Sequence, residues 1–137
     1  MFKPFRILLF PLVFFLLPLF GSSQTIFNLQ SVQPNVKYDN IHVQKIEGDS
    51  HYTAFVIWIK HEVGLHYHAN HTETIVVLAG KGKMTLGDTS FVIKKNSTFV
   101  IPKGTRHSVI TKSKKPLKVL SIQYPMFDGT DRIMIKP

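Results

Sequence analysis

The stretch that decides the fold runs from residue 64 to residue 80 and reads GLHYHANHTETIVVLAG. One residue separates His66 from His68, and side chains alternate along a strand, so both imidazoles point to the same face. Glu73 follows five positions after His68, which leaves room for a turn that lets the next strand return its carboxylate. The spacing predicts two strands and a turn that gather two imidazoles and one carboxylate.

A second stretch, residues 102–107 (PKGTRH), supplies a third imidazole. The Pro-x-Gly turn feeds a new strand that points inward from His107. Three imidazoles and one carboxylate suit a divalent Mn, Fe, Co, Ni, Cu or Zn ion, and an octahedral ion keeps two positions open. Open positions let an ion bind substrate, water or O2. The sequence therefore predicts one divalent transition metal, of undetermined identity, held by His66, His68, Glu73 and His107.

Short segments rich in β-branched and aromatic residues surround these two stretches, and none has the period of a helix. Turn residues such as Gly80-Lys81-Gly82 and Gly87-Asp88 separate them. We predict strands over residues 52–60, 74–79, 83–86, 91–94, 97–101, 106–111 and 117–124. The pattern favours an all-β sandwich or barrel.

Some of these segments are apolar on both faces, notably residues 55–59 and 74–79. In an antiparallel sheet one face normally meets water. Two apolar faces indicate that one lines the barrel while the other meets a second layer or a partner subunit. Because exposed apolar patches commonly mark an interface, we predict a homodimer.

The two histidine-bearing stretches resemble the two motifs of the cupin superfamily. The first motif, G(X)5HXH(X)3–4E(X)6G, is matched by the first stretch through Gly80, and the second, G(X)5PXG(X)2H(X)3N, by Pro102, Gly104 and His107. The resemblance covers residues 44–131 and is to small stand-alone cupins. It implies a single-domain double-stranded β-helix, or jelly-roll barrel, over residues 40–137. It also maps the family's metal ligands onto His66, His68, Glu73 and His107.

Three positions depart from these motifs. Lys60 and Asn96 stand where each motif begins with glycine, and Thr111 stands in place of the final asparagine. Asparagine can adopt the positive-φ backbone that glycine often supplies, so Asn96 is expected to be a mild change. Lys60 and Thr111 occupy turn or support positions. None of the three is a predicted ligand, and the predicted metal site is unaffected.

Cupins with this ligand set are known as dioxygenases, decarboxylases, isomerases, sugar-handling enzymes and binding proteins, and the fold does not choose among them. The leading hypothesis is a metal-dependent enzyme, either an oxidoreductase of dioxygenase type or an isomerase, acting on a small molecule in the barrel pocket. A general base would come from Glu73, His71 or Tyr67. The alternative is a cupin that captures a sugar or anion without turnover. A purely structural metal ranks last, since structural sites usually fill every coordination position.

The other histidines and lysines have simpler interpretations. His61-Glu62 followed by His66 has one residue too many for the H-E-x-x-H helix of zinc proteases. The lysine-rich run 112–118 is interpreted as a solvated loop tip between strands. Four histidines are interpreted as surface or satisfied core residues, the last of them in the loop at the predicted pocket mouth: His42, His51, His61 and His71.

Residues 1–23 have the layout of a secretory signal peptide. Lys3 and Arg6 precede an uncharged apolar run, residues 7–20, and small residues follow at positions 21–23. As a helix, that run reaches about 21 Å, short of a hydrocarbon core of about 30 Å. We predict cleavage near Gln24, export to the periplasm or beyond, and no stable membrane anchor. The chain has no cysteine, which excludes disulfides and thiolate ligands.

The formal net charge is +9, an excess that favours anionic surfaces or ligands. The basic residues are spread along the chain and follow no recognition helix, so nucleic acid is not an expected partner. The expected partner is a small-molecule ligand or substrate. Residues 24–39 are interpreted as an irregular lead-in or an edge strand before the barrel.

Overall fold

The computed structural model describes residues 26–136, so the predicted signal peptide lies outside the described residues. Within residues 26–136 the secondary structure is entirely strand and turn, and no helix there is long and apolar enough to cross a membrane. The strands are β1 (Ile41–Gly48), β2 (Thr53–Ile59), β3 (Glu62–Tyr67), β4 (Thr72–Ala79), β5 (Lys81–Leu86), β6 (Thr89–Lys94), β7 (Thr98–Ile101), β8 (His107–Thr111), β9 (Leu117–Tyr124) and β10 (Ile133–Met134).

The strands form two five-stranded sheets whose described pairings are all antiparallel. One sheet has the order β1-β2-β9-β4-β7 and the other β10-β3-β8-β5-β6. Apart from the pairs β1–β2 and β5–β6, consecutive strands lie in different sheets, so the chain crosses from one sheet to the other repeatedly. The all-β, single-domain, double-stranded β-helix predicted from the sequence is confirmed.

The core lies between the two sheets and is made of inward-facing aliphatic side chains. In β4 the burial alternates, so Glu73, Ile75 and Val77 all face inward, as their period-2 spacing requires. Nine buried residues form this core: Ile59, Ile75, Val77, Met84, Ile93, Ile101, Val109, Leu117 and Val119. At one end of the core this same inward face carries the predicted ligands.

The outer face of β2 is covered by the residues that precede β1. Val56 and Trp58 form a second cluster with Leu78, and Leu29, Val32 and Tyr38 pack against it. Residues 26–40 contain no strand, yet they form a layer over this sheet. The chain's own lead-in therefore supplies the second layer that the doubly apolar strand requires.

Lys118 binds this layer through hydrogen bonds. The interpretation of the whole run 112–118 as a solvated loop tip is therefore wrong for Lys118. Its Nζ donates to the carbonyls of Leu29 (2.7 Å), Gln30 (3.3 Å) and Val32 (2.7 Å), and the residue is only 6% exposed. Lysines 112, 114 and 115 are exposed, as expected of a loop tip. Lys118 is instead the second residue of β9, and it turns toward the lead-in because three otherwise unpaired carbonyls satisfy its three donors.

The departures from the cupin motifs have local explanations. Asn96 has φ 71°, so asparagine does supply the left-handed backbone there. The Thr111 hydroxyl donates to the carbonyl of Ile59 (2.9 Å) and links the ends of β8 and β2. The motif glycine at Gly80 has φ 84°, and a Cβ there would lie 2.9 Å from the Cα of Leu117. Glycine is therefore required at Gly80 and dispensable at position 96.

Candidate metal centre

Three histidines meet where β3 and β8 run side by side. His66 lies near the end of β3 and pairs in register with His107, the first residue of β8, while His68 follows β3 directly. An irregular register between Val63 and His66 adjusts how the end of β3 faces the interior. One ligand atom from each of the three buried imidazoles lies within 4.8 Å of the other two. The structure thus brings the three predicted histidines together.

The three rings are held in one tautomer by backbone carbonyls. Nδ1 of His66 donates to Gly64 (2.8 Å), Nδ1 of His107 donates to Thr105 (2.9 Å), and Nδ1 of His68 donates to Asp131. A carbonyl oxygen only accepts, so each Nδ1 carries the proton and each Nε2 keeps a free lone pair. This arrangement leaves three Nε2 lone pairs for a common ligand.

Glu73 completes the group of predicted ligands from the opposite sheet. Its Oε2 lies 3.9 Å from Nε2 of His68 and 3.7 Å from Nε2 of His107. Its other oxygen accepts hydrogen bonds from the Ser121 hydroxyl and from the Gln123 amide, the latter at 3.3 Å. One carboxylate oxygen is therefore oriented by β9, and the other faces the imidazoles.

The protonation states suit a cation. Burial, followed by the charge of His107, lowers the pKa of His66 to about 3 from its ordinary 6.5, and burial also lowers the pKa of His107. Neutral imidazole is the form that binds metal. Nε2 of His107 is buried and has no hydrogen-bond partner among the described residues. An unsatisfied buried acceptor is costly, so the donor set fits a divalent transition metal.

His71 and Tyr67, the other two candidates for a general base, lie outside this cluster. His71 donates from Nδ1 to the Asp131 carboxylate (2.5 Å) and from Nε2 to the carbonyl of Met126 (3.0 Å). Burial alone would lower the pKa of His71, but these two hydrogen bonds outweigh it and raise the pKa. Tyr67 alternates with His66 and His68 and is not among the described residues that line the cavity.

The candidate ligands occupy the polar end of an otherwise apolar cavity of about 170 Å³. Aliphatic and aromatic side chains from both sheets form most of its wall, and Phe127 lines it near His68, with the two ring centroids 5.7 Å apart and the rings edge to face. Beyond the four predicted ligands, the polar side chains lining it are Ser108, Gln123 and Arg132. The cavity can therefore admit a small molecule next to a bound metal.

Four site residues were missed by the sequence reasoning. Ser121 and Gln123 share the inward face of β9 with Val119, and two polar residues at period 2 in an otherwise apolar strand were an available signal. Asp131 and Arg132 gave no such signal. They reach the site only because β10 pairs with β3, through Ile133 opposite Tyr67 and Met134 opposite His66.

Comparison with known proteins decides the family. The sequence model of the family described as "Cupin domain" matches residues 55–123. The chain belongs to the cupin family. This cupin is also 32% identical over 98 residues to an uncharacterized protein of Aquifex aeolicus (strain VF5). The aligned residues span 72% of this chain and 80% of that protein. The resemblance predicted from the two motifs is confirmed.

Two further similarities cover less of the relative or have lower sequence identity. The cupin is 36% identical over 67 residues to a mannose-1-phosphate guanylyltransferase of Klebsiella pneumoniae. The aligned residues are 49% of this chain and only 14% of that enzyme. A solved structure of an uncharacterized conserved protein with a double-stranded β-helix domain, also from Klebsiella pneumoniae, has a TM-score of 0.68 at 16% identity and covers 84% of this chain and 100% of the other. At that identity the structural likeness shows the fold alone.

Proposed function

We propose that this cupin binds one divalent transition metal with His66, His68, His107 and Glu73 and uses it in a reaction on a small oxygen-bearing molecule. One observation carries the proposal. Three buried imidazoles have their Nδ1 atoms occupied by carbonyls, their Nε2 lone pairs free, and a carboxylate beside them at the end of an apolar cavity. A metal bound there supplies Lewis acidity that polarises an oxygen atom of the substrate.

The residues of the chain would prepare the reaction in three ways. The apolar walls exclude water, which strengthens electrostatic interactions at the polar end. The carbonyls of Gly64, Thr105 and Asp131 keep the imidazoles in orientation. Ser121 and Gln123 hold one oxygen of Glu73. Glu73 is also the only carboxylate among the described residues lining the cavity, so it is the preferred general base if it leaves the metal.

Metal content is the direct test of the site. Purified protein from the native compartment should contain about one equivalent of a transition metal by elemental analysis. The variants His68→Ala and His107→Ala should lose most of it while keeping the fold, because the apolar core lies elsewhere. His51→Ala is the matched control, since His51 is exposed on the surface. Full metal occupancy in purified His68→Ala would contradict the assignment.

A second candidate function is capture of a small ligand without turnover. It is favoured by the cavity itself, because outside the four predicted ligands its described lining offers only Ser108, Gln123 and Arg132 as polar groups, and none is a general base near neutral pH. Screening small oxygen-bearing molecules with the metal-loaded protein separates the two functions. Oxygen uptake or product formation supports the enzyme, whereas saturable binding without product supports the binding protein.

Export of the chain is part of the proposal and rests on the sequence of residues 1–23. Cleavage near Gln24 would leave residues 29–32 in place, and these hold the carbonyls that bind Lys118. The intact mass of protein from the native host tests it. A membrane-bound species that retains residues 1–20 would contradict it.

Homodimerisation stays a prediction, with a different interface. The apolar outer face of β2 that motivated it is covered by the lead-in. We propose the outer face of the opposite sheet instead, where Val92 (60% exposed) and Ile110 (42% exposed) flank Lys83 in register. Sedimentation at micromolar concentration tests it, and a monomer there would contradict it.

A further inference from the structure

Arg132 lines the same cavity as the metal cluster and has no assigned role. It is the only side chain with a permanent positive charge among the described residues that line this cavity. None of the described side chains or carbonyls forms a hydrogen bond or ion pair with its guanidinium. A guanidinium offers five donors in a planar fork that matches a carboxylate, so an unpaired one at a cavity is available to a ligand.

The backbone on both sides of Arg132 is fixed. The carbonyl of Asp131 accepts from Nδ1 of His68, and Ile133 pairs with Tyr67. The amide of Ile135 then donates to the carbonyl of Leu65 at 3.0 Å. The Cα of Arg132 is thereby held beside the end of β3, where His66 lies and which His68 directly follows. Little backbone ordering remains to be done when a ligand binds.

The ionisable groups of the site interact electrostatically with Arg132. Burial lowers its pKa although part of the residue is exposed, and the negative charge of Glu73 acts in the opposite direction. The positive charge of Arg132 in turn contributes to the lowered pKa of His66 and of His107. Arg132 is exposed and also lines the cavity, so it lies where the cavity meets water, and its charge acts on the polar end.

We propose that Arg132 is a specificity-determining residue that selects a small carboxylate with an apolar body of about one ring. The selection rests on the proposed function, because the carboxylate would lie between the guanidinium and the metal. The size follows from the cavity, since about 170 Å³ is close to the ~150 Å³ of an aliphatic cavity that holds one benzene. A carboxylate is favoured over a phosphate because one guanidinium fork satisfies both carboxylate oxygens, whereas the further oxygens of a phosphate would find only Ser108 and Gln123 as donors outside the predicted ligands.

Calorimetric titration with benzoate and with benzamide, its neutral counterpart of the same shape, tests the inference. Wild-type protein is compared with Arg132→Gln, and Arg106→Gln is the matched control because Arg106 is exposed and does not line the cavity. Each protein is titrated metal-free and after loading with zinc, and zinc per chain is measured by elemental analysis. Thermal unfolding verifies that each variant folds.

We expect wild-type protein and Arg106→Gln to prefer benzoate over benzamide by at least about tenfold, the equivalent of one charge-assisted hydrogen bond. In metal-free Arg132→Gln this preference should vanish, and in the zinc-loaded variant it should fall to what the zinc alone confers, while benzamide affinity and zinc content stay unchanged. An undiminished benzoate preference in zinc-loaded Arg132→Gln would overturn the inference about Arg132 without contradicting the metal site. Wild-type protein that binds neither benzoate nor benzamide would also overturn the inference. If wild-type protein holds no zinc, the proposed function fails, and the metal-free titrations still decide the role of Arg132.

Discussion

The backbone carbonyl of Asp131 accepts a hydrogen bond from Nδ1 of His68, although 63 positions separate the two residues. The carboxylate of the same Asp131 accepts from the amides of Ala69 (2.9 Å) and Asn70 (2.8 Å) and from His71. One residue therefore orients a predicted metal ligand through its backbone and fixes the loop after that ligand through its side chain.

Replacing Asp131 by alanine should be strongly destabilising. The change leaves the His71 imidazolium without its buried partner and removes the acceptor of the Ala69 and Asn70 amides. Removing one member of a buried ion pair costs about 3 kcal/mol or more. Urea unfolding measures the loss. Asp128→Ala is the control from the same segment, because Asp128 is exposed and, among residues 26–136, its side chain accepts hydrogen bonds from Thr130 alone. It should change stability by about 0.5 kcal/mol or less.

The stability that the His71–Asp131 pair contributes should depend on pH in a defined window. Burial would raise the pKa of Asp131, but His71 and the two amides lower it to about 2 from 3.8, so its contribution is lost as pH falls below about 4 toward 2. The pKa of His71 is raised above 6.5, so its contribution is complete below 6.5 and lost as pH rises through the raised value.

The difference in unfolding free energy between wild-type protein and Asp131→Ala should therefore be largest between about pH 4 and pH 6.5. Denaturant unfolding at pH 5.5 and at pH 9 measures it at both ends of the His71 titration. A difference that grows between pH 5.5 and pH 9 would mean that the pair is not the ionised form described here.

Substituting Lys118 with methionine should loosen the lead-in. The change removes one ammonium and leaves three carbonyls without their described partner, which we expect to cost about 2 kcal/mol. Limited proteolysis should then cut residues 26–39 faster than in wild-type protein. Lys114→Met is the matched control because Lys114 is exposed in the adjacent loop. Equal cleavage rates in both variants would show that Lys118 does not fasten this layer.

Metal loading should raise the melting temperature of the whole domain. Free metal at a hundred times its dissociation constant stabilises the folded state by about 2.7 kcal/mol. Thermal unfolding with and without a chelator measures this shift, and His107→Ala should abolish it because its Nε2 is one of the converging lone pairs. A chelator-insensitive transition in metal-loaded wild-type protein would argue against the site.

The local part of this architecture was predictable from the sequence. The His66-x-His68 spacing, the returning Glu73 and the Pro102-Lys103-Gly104 turn are short-range patterns whose geometry follows from strand alternation and turn chemistry. Asn96 is the sharpest case, since its positive φ was expected from its position in the motif. Patterns of this kind need only neighbouring residues, and the structure brings these side chains together.

The parts that were not predictable depend on distant segments. Lys118 resembled its neighbours in a lysine-rich run, and only the packing of residues 29–32 distinguishes it. The two-residue strand β10 has too little sequence to reveal a pattern, yet it brings Asp131 and Arg132 to the site. Apolarity on both faces of β2 predicted a cover of some kind, but it could not say that the cover comes from the same chain.

The bond between His68 and Asp131 also orders events during synthesis. His68 leaves the ribosome 63 residues before Asp131, so the imidazole is made long before the carbonyl that orients it. Domains generally fold as units. The complete donor set consequently arises only after nearly the whole domain has been translated, and premature capture of an ion by His66 and His68 would occur without the orientation that the finished barrel imposes.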